Sequence, residues 1–342
     1  MKKRALFFSS EPGGSAVLAA AVRALRPYGW DVDLAGYGHG LARFRKDGLP
    51  CREVAKSIGE PELKAAAPSV LVTSAGSLPL PGFDDTERRL WTAARRLRIP
   101  SIAMMDSWQH YAGRFSGPTP QEKLAYLPDR INALNDVGRE EMRAEGIPAD
   151  KIVALGHPAV SEMPEQAKAV DREAVRARLG LSRGKKTLLF VSEPLLEVFG
   201  RVRGYDQYSA LSDFLAQAPK AYPGAEILVK LHPKDDPSKF PRTAKLVHQE
   251  ASPLECIAAA DVVFGMTSVV LIEAFALGKP VASFQPGLTG ADALVLSRHG
   301  LVPRLGSLAE LKGEVPAPDA SRFPVAFDAA GFSRLLDQLA AR

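Results

Sequence analysis

Short, almost wholly apolar runs alternate along the chain with longer runs whose apolar positions recur every three to four residues. The first kind reads as strands buried on both faces, the second as helices. Residues 4–9 predict a strand, 10–15 a turn, 16–25 a small-residue helix ended by Pro27 and Gly29, and 31–35 a second strand. Further strands are expected at 70–73, 101–105, 130–134 and 152–155, with a Gly/Pro-rich loop running to Gly82 and a helix over 86–97. In that helix Leu90, Ala94 and Leu97 form the apolar face, while Arg88/Arg95 and Arg89/Arg96 recur seven residues apart. A charged helical connector over 164–179 precedes a second series. Its strands are expected at 187–191, 227–231, 261–264 and 281–284, and its helices at 209–218 and 269–277, with a last helix over 329–341. Ser252-Pro253-Leu254-Glu255 carries two independent helix-start signals, a capping box and a proline in the first turn.

Strand–helix alternation of this kind builds parallel sheets with crossover helices. The chain therefore predicts an α/β fold of two doubly wound, Rossmann-like domains facing a central cleft. The first spans residues 1–164 and the second 165–328, and the helix at 329–342 packs back on the first. A length of 342 residues suits two cores rather than one. The openings of the two series resemble each other: Leu6-Phe7-Phe8-Ser9-Ser10-Glu11-Pro12 and Leu188-Leu189-Phe190-Val191-Ser192-Glu193-Pro194. Duplication and chance both produce such a match.

Composition narrows the function classes. Hydrophobic residues make up 46% and charged residues 24%, which is globular and not disordered. No run has the apolar length of a membrane span, and the apolar stretch behind Lys2-Lys3-Arg4 is too short for a signal peptide. Two cysteines, Cys51 and Cys256, build neither a disulfide framework nor a cysteine metal site, so a cytoplasmic protein is expected. The net charge of +5 suits anionic substrates, but the Lys/Arg clusters of a nucleic-acid binder are missing. The arginines of 86–97 read first as a solvated helix face. Their minority reading is a peripheral contact with anionic lipid at the inner face of the membrane. The six histidines are scattered without metal-ligand spacing, and no metal site and no bound cofactor are expected.

In a parallel sheet, ligands bind beyond the carboxyl ends of the strands. Three loops of the second series qualify: His232-Pro233-Lys234, Met266-Thr267-Ser268 and Gln285-Pro286-Gly287. Thr267 and Ser268 open a helix whose free N–H groups and dipole favour a phosphate, although simple capping explains the same residues. His232 suits a phosphate or leaving-group oxygen, or is satisfied by neighbouring backbone. Glu273, alone in an apolar helix, needs donors, and ribose hydroxyls would serve. Arg201 and Arg203 flank a Gly200–Gly204 loop and suit an anion. In the first series the richest loop is 105–115. There Asp106 stands at a strand end as a candidate general base, Trp108 and Tyr111 as sugar- or base-stacking rings, and Arg114 as a cleft cation. A packed connector explains those aromatics equally. Gly13, Gly14, His39 and His157 complete the candidate acceptor side.

These residues carry a resemblance. Pro128-Asp129-Arg130-Ile131, Gly146-Ile147-Pro148 and Lys151 to Pro158 are similar to the end of the first domain in glycosyltransferases of the two-Rossmann, GT-B type. Ala260 to Ser268, Glu273-Ala274 and Leu277 to Val281 resemble their donor-site strand, loop and helix. With His232-Pro233 they are similar to the His-Pro and Ser/Thr-Ser motifs of bacterial sialyltransferases, Kdo transferases and CDP-glycerol transferases. The resemblance implies nucleotide phosphate binding by His232, Thr267 and Ser268, ribose binding by Glu273, and Ser192 in place of a Gly-rich loop. It implies transfer from a nucleotide-sugar donor to a carbohydrate or lipid-linked acceptor, without a metal. The acidic base motif of those families is not cleanly present, and Asp106 stands in by position. UDP-N-acetylglucosamine 2-epimerases share the architecture. Their Asp-Ser-Gly-Gly-x-x-Glu is echoed by Thr267 to Glu273 with valines for both glycines, and their Pro-Glu-Glu-x-Asn-Arg at best by Pro120-Gln121-Glu122. An epimerase is the alternative expectation, and a non-catalytic nucleotide-sugar-binding protein a third.

Overall fold

The apolar runs become the central strands of two parallel sheets. In the computed structural model, which describes residues 3–76, 78–80 and 84–342, the first sheet has seven strands. They are β1 (Arg4–Ser9), β2 (Asp31–Gly36), β3 (Arg52–Glu53), β4 (Val70–Ser74), β5 (Ser101–Met104), β6 (Arg130–Ala133) and β7 (Ile152–Ala154), in the order β3-β2-β1-β4-β5-β6-β7. The second sheet has β8 (Thr187–Val191), β9 (Glu226–Lys230), β10 (Lys245–Val247), β11 (Val262–Gly265), β12 (Val281–Phe284) and β13 (Arg304–Leu305), in the order β10-β9-β8-β11-β12-β13. Neighbouring strands run parallel throughout. The chain divides into unit 1, Met1–Glu162 with Pro324–Arg342, and unit 2, Met163–Phe323. Met1-Lys2, and Pro81 and Gly82 of the expected Gly/Pro-rich loop, lie outside the described residues.

Burial follows from strand composition. β1 and β8 sit in the middle of their sheets, and Ala5 to Phe8 and Leu188 to Phe190 are fully buried. Both faces of a doubly wound sheet are covered, so such strands carry no polar alternation. Of the four edge strands, β7 falls within the expected 152–155, while β3, β10 and β13 have two or three residues, each with a charged residue, and the sequence pattern does not announce them. The closing helix Ala329–Ala340 buries Phe332, Leu336 and Leu339 in the core of unit 1. The Ser252 capping box forms: Ser252 Oγ accepts from Glu255 N–H (3.2 Å), and Glu255 Oε2 from Ser252 N–H (2.7 Å). Among the described residues no helix is long and apolar enough to cross a membrane.

In each unit the strand order reverses beside the first strand: between β1 and β4 in unit 1, and between β8 and β11 in unit 2. The two similar openings of the chain are β1 and β8, so they occupy equivalent positions. Crossover helices leave in opposite directions at such a point and open a crevice at the carboxyl edge.

Three sequence expectations change here. Gly13 and Gly14 lie not in a turn but in the first turn of a helix, Pro12–Leu25, because Pro12 is pre-set for the first helical position. Gly38-His39-Gly40, whose glycines by themselves read as a turn, likewise begins a helix, Gly38–Lys46. Its glycine is required by contact: a Cβ at Gly40 would lie 2.3 Å from the Ser9 carbonyl oxygen. Finally, the arginines of Thr86–Leu97 are not a freely solvated face. Arg88 is buried, Arg89 bonds to the carbonyls of Lys56 (2.7 Å) and Ile58 (2.9 Å), and Arg95 to that of Leu127 (2.8 Å). Most of these head groups are spent on unit 1 itself, which leaves little for lipid.

Gly14 faces the carboxyl end of β4, where a Cβ would come within 2.3 Å of Ser74 Cβ. Gly14→Ala therefore overpacks the switch point and is expected to cost about 2 kcal/mol, a fall of roughly 5 °C in the melting of unit 1. Gly113→Ala, whose Cβ would sit 3.6 Å from Leu78, is the control and should leave melting unchanged. Equal melting of the two variants would refute the close approach.

Candidate functional site

The unit 2 switch point is built by the ends of β8, β9 and β11. β8 delivers Ser192 and Glu193, β9 His232 and Asp235, and β11 Thr267 and Ser268 at the start of the helix Val269–Ala276. Glu193 is buried, and its carboxylate accepts from both the Thr267 N–H and the Thr267 hydroxyl, the latter at 2.9 Å. The helix N-terminus thus already carries an anion from within the chain. This modifies the expectation for Thr267, whose donors are engaged. Ser268 caps its helix, accepting from Val270 N–H at 3.3 Å. Arg203 Nη1 reaches Thr267 Oγ1 (3.3 Å), and its guanidinium lies 4.1 Å from the centre of the Phe199 ring. Arg201 is exposed on the loop, so Arg203 and not Arg201 is the arginine at this point.

Electrostatics follow from burial. Desolvation pushes the Glu193 carboxyl above its ordinary range, although the Thr267 donors and Arg203 work against it. Asp235 is raised for the same reason, opposed by hydrogen bonding from His232 N–H (2.8 Å) and by the Ser192 hydroxyl beside it. Ser192 Oγ and Asp235 Oδ1 are both sealed from solvent without a hydrogen-bond partner of good geometry. His232 Nδ1 accepts from Lys234 N–H (3.1 Å), which makes Nε2 the protonated nitrogen of the neutral ring. Glu273 is half-buried on the helix that Ser268 caps. Tyr205 donates to Gln285 Oε1 (3.0 Å), and Gln285 in turn to Asp292 (2.7 Å), extending the polar cluster to the end of β12.

In unit 1 the switch point joins Ser9 and Ser74, whose hydroxyls are 2.9 Å apart, with Glu87, which accepts from Ser74. A Cβ at Gly13 would lie 2.6 Å from Asp106 Oδ2, so the first turn of the helix Pro12–Leu25 is pressed against that carboxylate. Asp106 Oδ1 accepts from buried Arg114 (2.8 Å). Arg114 is further fixed by the carbonyls of Ala75 and Gln109 and by Ser107 Oγ (2.6 Å). Arg114 is therefore a structural partner of Asp106 rather than a cleft cation. A second cluster, unannounced by the sequence, surrounds Asp84. It accepts from Tyr37 OH, Ser10 Oγ (3.0 Å) and Thr86 Oγ1 (2.7 Å). Burial acts to raise the Asp84 carboxyl, but these donors hold it below its ordinary range. The signal was Asp84-Asp85-Thr86 ahead of a helix, which reads as capping and nothing more.

Trp108, Tyr111 and His157 depart from expectation. Trp108 and Tyr111 are 1% and 2% exposed, so neither offers a ring to a sugar. Trp108 Nε1 donates to Asn135 (2.8 Å) and Tyr111 OH to Glu141 (2.7 Å). His157 stacks on Trp108, with centroids 5.4 Å apart. Its Nδ1 accepts from Val160 N–H (3.2 Å) and its Nε2 faces the Asp106 carbonyl (3.3 Å). His157 is a buried helix cap, while His39 is exposed. Glu122 of Pro120-Gln121-Glu122 is tied to Thr119 (2.8 Å) and Tyr126 (2.6 Å), beside a cavity of about 760 Å³ that Arg88 and Arg89 also line.

By sequence, the chain matches no family model and no curated protein. By structure, it is similar to UDP-GlcNAc 2-epimerase from Methanocaldococcus jannaschii in complex with UDP-GlcNAc and UDP. That match has a TM-score of 0.70 at 16% identity and covers 98% of this chain and 99% of that one. The Neisseria meningitidis UDP-GlcNAc 2-epimerase bound to UDP-GlcNAc gives 0.60 at 14%, over 98% and 94%. An Anabaena protein, HepE, in complex with UDP and glucose gives 0.64 at 13%, over 100% of both chains. The fold is GT-B-like. The closer likeness to sialyl-, Kdo- and CDP-glycerol transferases rests on the sequence motifs alone.

Burial lowers the His157 imidazole to about 4, so the folded protein keeps it neutral where the unfolded chain, near 6.5, protonates it. The unfolded state then binds more protons, and stability is lost as pH falls from about 6.5 toward 4, by roughly 3 kcal/mol in all. Denaturant titrations of His157→Gln should show a flatter dependence over that window than the wild type. Identical slopes would contradict a neutral buried ring.

Proposed function

We propose that this protein is an enzyme acting on a nucleoside-diphosphate sugar, and that unit 2 holds the nucleotide. The observation that carries this is the cluster at the unit 2 switch point. Arg203 and Glu193 meet at Thr267 ahead of a helix N-terminus, and the neighbouring strand end carries Asp235 and a His232 ring with Nε2 protonated. That combination supplies positive potential and hydrogen-bond donors where a diphosphate binds in a doubly wound sheet. Glu273, on the same helix, suits a ribose. The solved neighbours in complex with UDP or UDP-GlcNAc support uridine as the nucleoside.

Two chemistries compete on this frame. Epimerisation is the one we favour, because the 2-epimerase likeness extends over nearly the whole of both chains. An epimerase moves a proton off and back onto a sugar carbon and therefore needs acid–base groups. Asp106 is the candidate in unit 1, held in place by Arg114. Glycosyl transfer is the second reading. It is favoured by Val269-Val270, which replace the glycine pair of the epimerase run, and by Glu122, which is tied into its own turn. In that reading Asp106 would deprotonate an acceptor hydroxyl while His232 and the helix stabilise the departing phosphate.

Thermal shift with CMP, CDP, UDP, GDP and ADP tests the binding claim. UDP at a hundredfold excess over its Kd should stabilise the protein by about 2.7 kcal/mol, and His232→Ala should abolish the shift. No shift with any nucleotide would remove the reading. With UDP-GlcNAc in D2O and no acceptor, solvent deuterium at the sugar's C2 marks epimerisation. Turnover that waits for an acceptor marks transfer. In either case Asp106→Asn should lose turnover and keep nucleotide affinity.

A further inference from the structure

The anion at the start of Val269–Ala276 is not merely a cap. Ser268 already caps that helix, and Glu193 comes from a different strand, 74 residues away in sequence. Its two oxygens take the backbone donor and the hydroxyl of Thr267, the groups that a phosphate at this point would need. Arg203 Nη1 approaches the same Thr267 hydroxyl at 3.3 Å, and its charge acts on the carboxylate. Thr267 comes from the end of β11, and Arg203 and Tyr205 from the loop before the helix Gln207–Ala221. Asp235, another acid, follows β9. Beside them the buried Ser192 hydroxyl and Asp235 Oδ1 lack good partners, a polar site only partly satisfied by the chain itself.

We propose that Glu193 is a specificity-determining residue of the nucleotide site: the incoming phosphate takes over the Thr267 donors, and Glu193 yields them by accepting one proton from solvent. The inference rests on the nucleotide reading of unit 2. The physical reason is simple. A buried carboxylate cannot stay ionised next to a diphosphate and a second acid, Asp235, once its two donors are gone. Burial already raises its carboxyl, which favours the proton. Neutral Glu193 can then donate to a phosphate oxygen that its ionised form would repel. Ligands with a phosphate at this point bind with proton uptake, and uncharged ligands such as uridine do not.

Isothermal calorimetry of the whole protein with UDP, in two buffers of different ionisation enthalpy, tests this without a mutation. Above the range where Glu193 titrates, one proton should be taken up, and the affinity should fall about tenfold per pH unit. Uridine should show neither effect. Glu193→Gln, neutral at every pH, should bind UDP with no uptake from this site, and more tightly than the wild type by about tenfold for each pH unit above that range. UDP binding to the wild type without proton uptake overturns the proposal and leaves the nucleotide reading standing. So does uptake that persists in Glu193→Gln. Failure of UDP to bind wild type and variant alike defeats both.

Discussion

A parallel sheet whose order reverses at its middle leaves a gap at its carboxyl edge, and the polar ends of two neighbouring strands must be satisfied there. The two units answer that constraint differently. Unit 1 closes its gap by close approach: Gly14 admits Ser74, Gly40 admits the Ser9 carbonyl, and Ser9, Ser74 and Glu87 satisfy one another. Unit 2 closes its gap with charge. Glu193 lies on the Thr267 donors, and Arg203 approaches from the other side of the hydroxyl. The first solution is rigid, since removing it requires moving backbone. The second is exchangeable, since one anion can replace another.

The same contrast separates the two acids that matter most. Asp106 is paired with a buried guanidinium, and breaking such a pair strands the other charge at a cost of several kcal/mol. It is a positioned group. Glu193 accepts from the N–H and the hydroxyl of Thr267, both neutral donors, in a setting that disfavours its ionised form.

The architecture was legible in the sequence because doubly wound sheets write their central strands as apolar runs. The strands at 4–9 and 187–191, and the helix at 86–97, stand where the pattern put them. Short edge strands escaped, because Arg52-Glu53 owes its conformation to pairing with Ala35 and Gly36 and not to its own composition. The site was legible by position only. Strand ends pointed to Asp106, His232 and Thr267; Asp106 and His232 bind near neighbours in the chain, but Thr267 is held by a residue distant in sequence. Glu193 stood in the sequence only as part of the opening that resembles residues 6–12. Trp108 and Tyr111 looked like binding aromatics, and Asn135 and Glu141 bury them. No local pattern encodes a contact across 74 residues.

The most direct measurement is a crystal structure of the protein with UDP. The account predicts the diphosphate at the start of Val269–Ala276, with the Thr267 N–H and hydroxyl donating to it and the Glu193 carboxyl withdrawn. UDP bound elsewhere, with both Glu193–Thr267 hydrogen bonds intact, would contradict it.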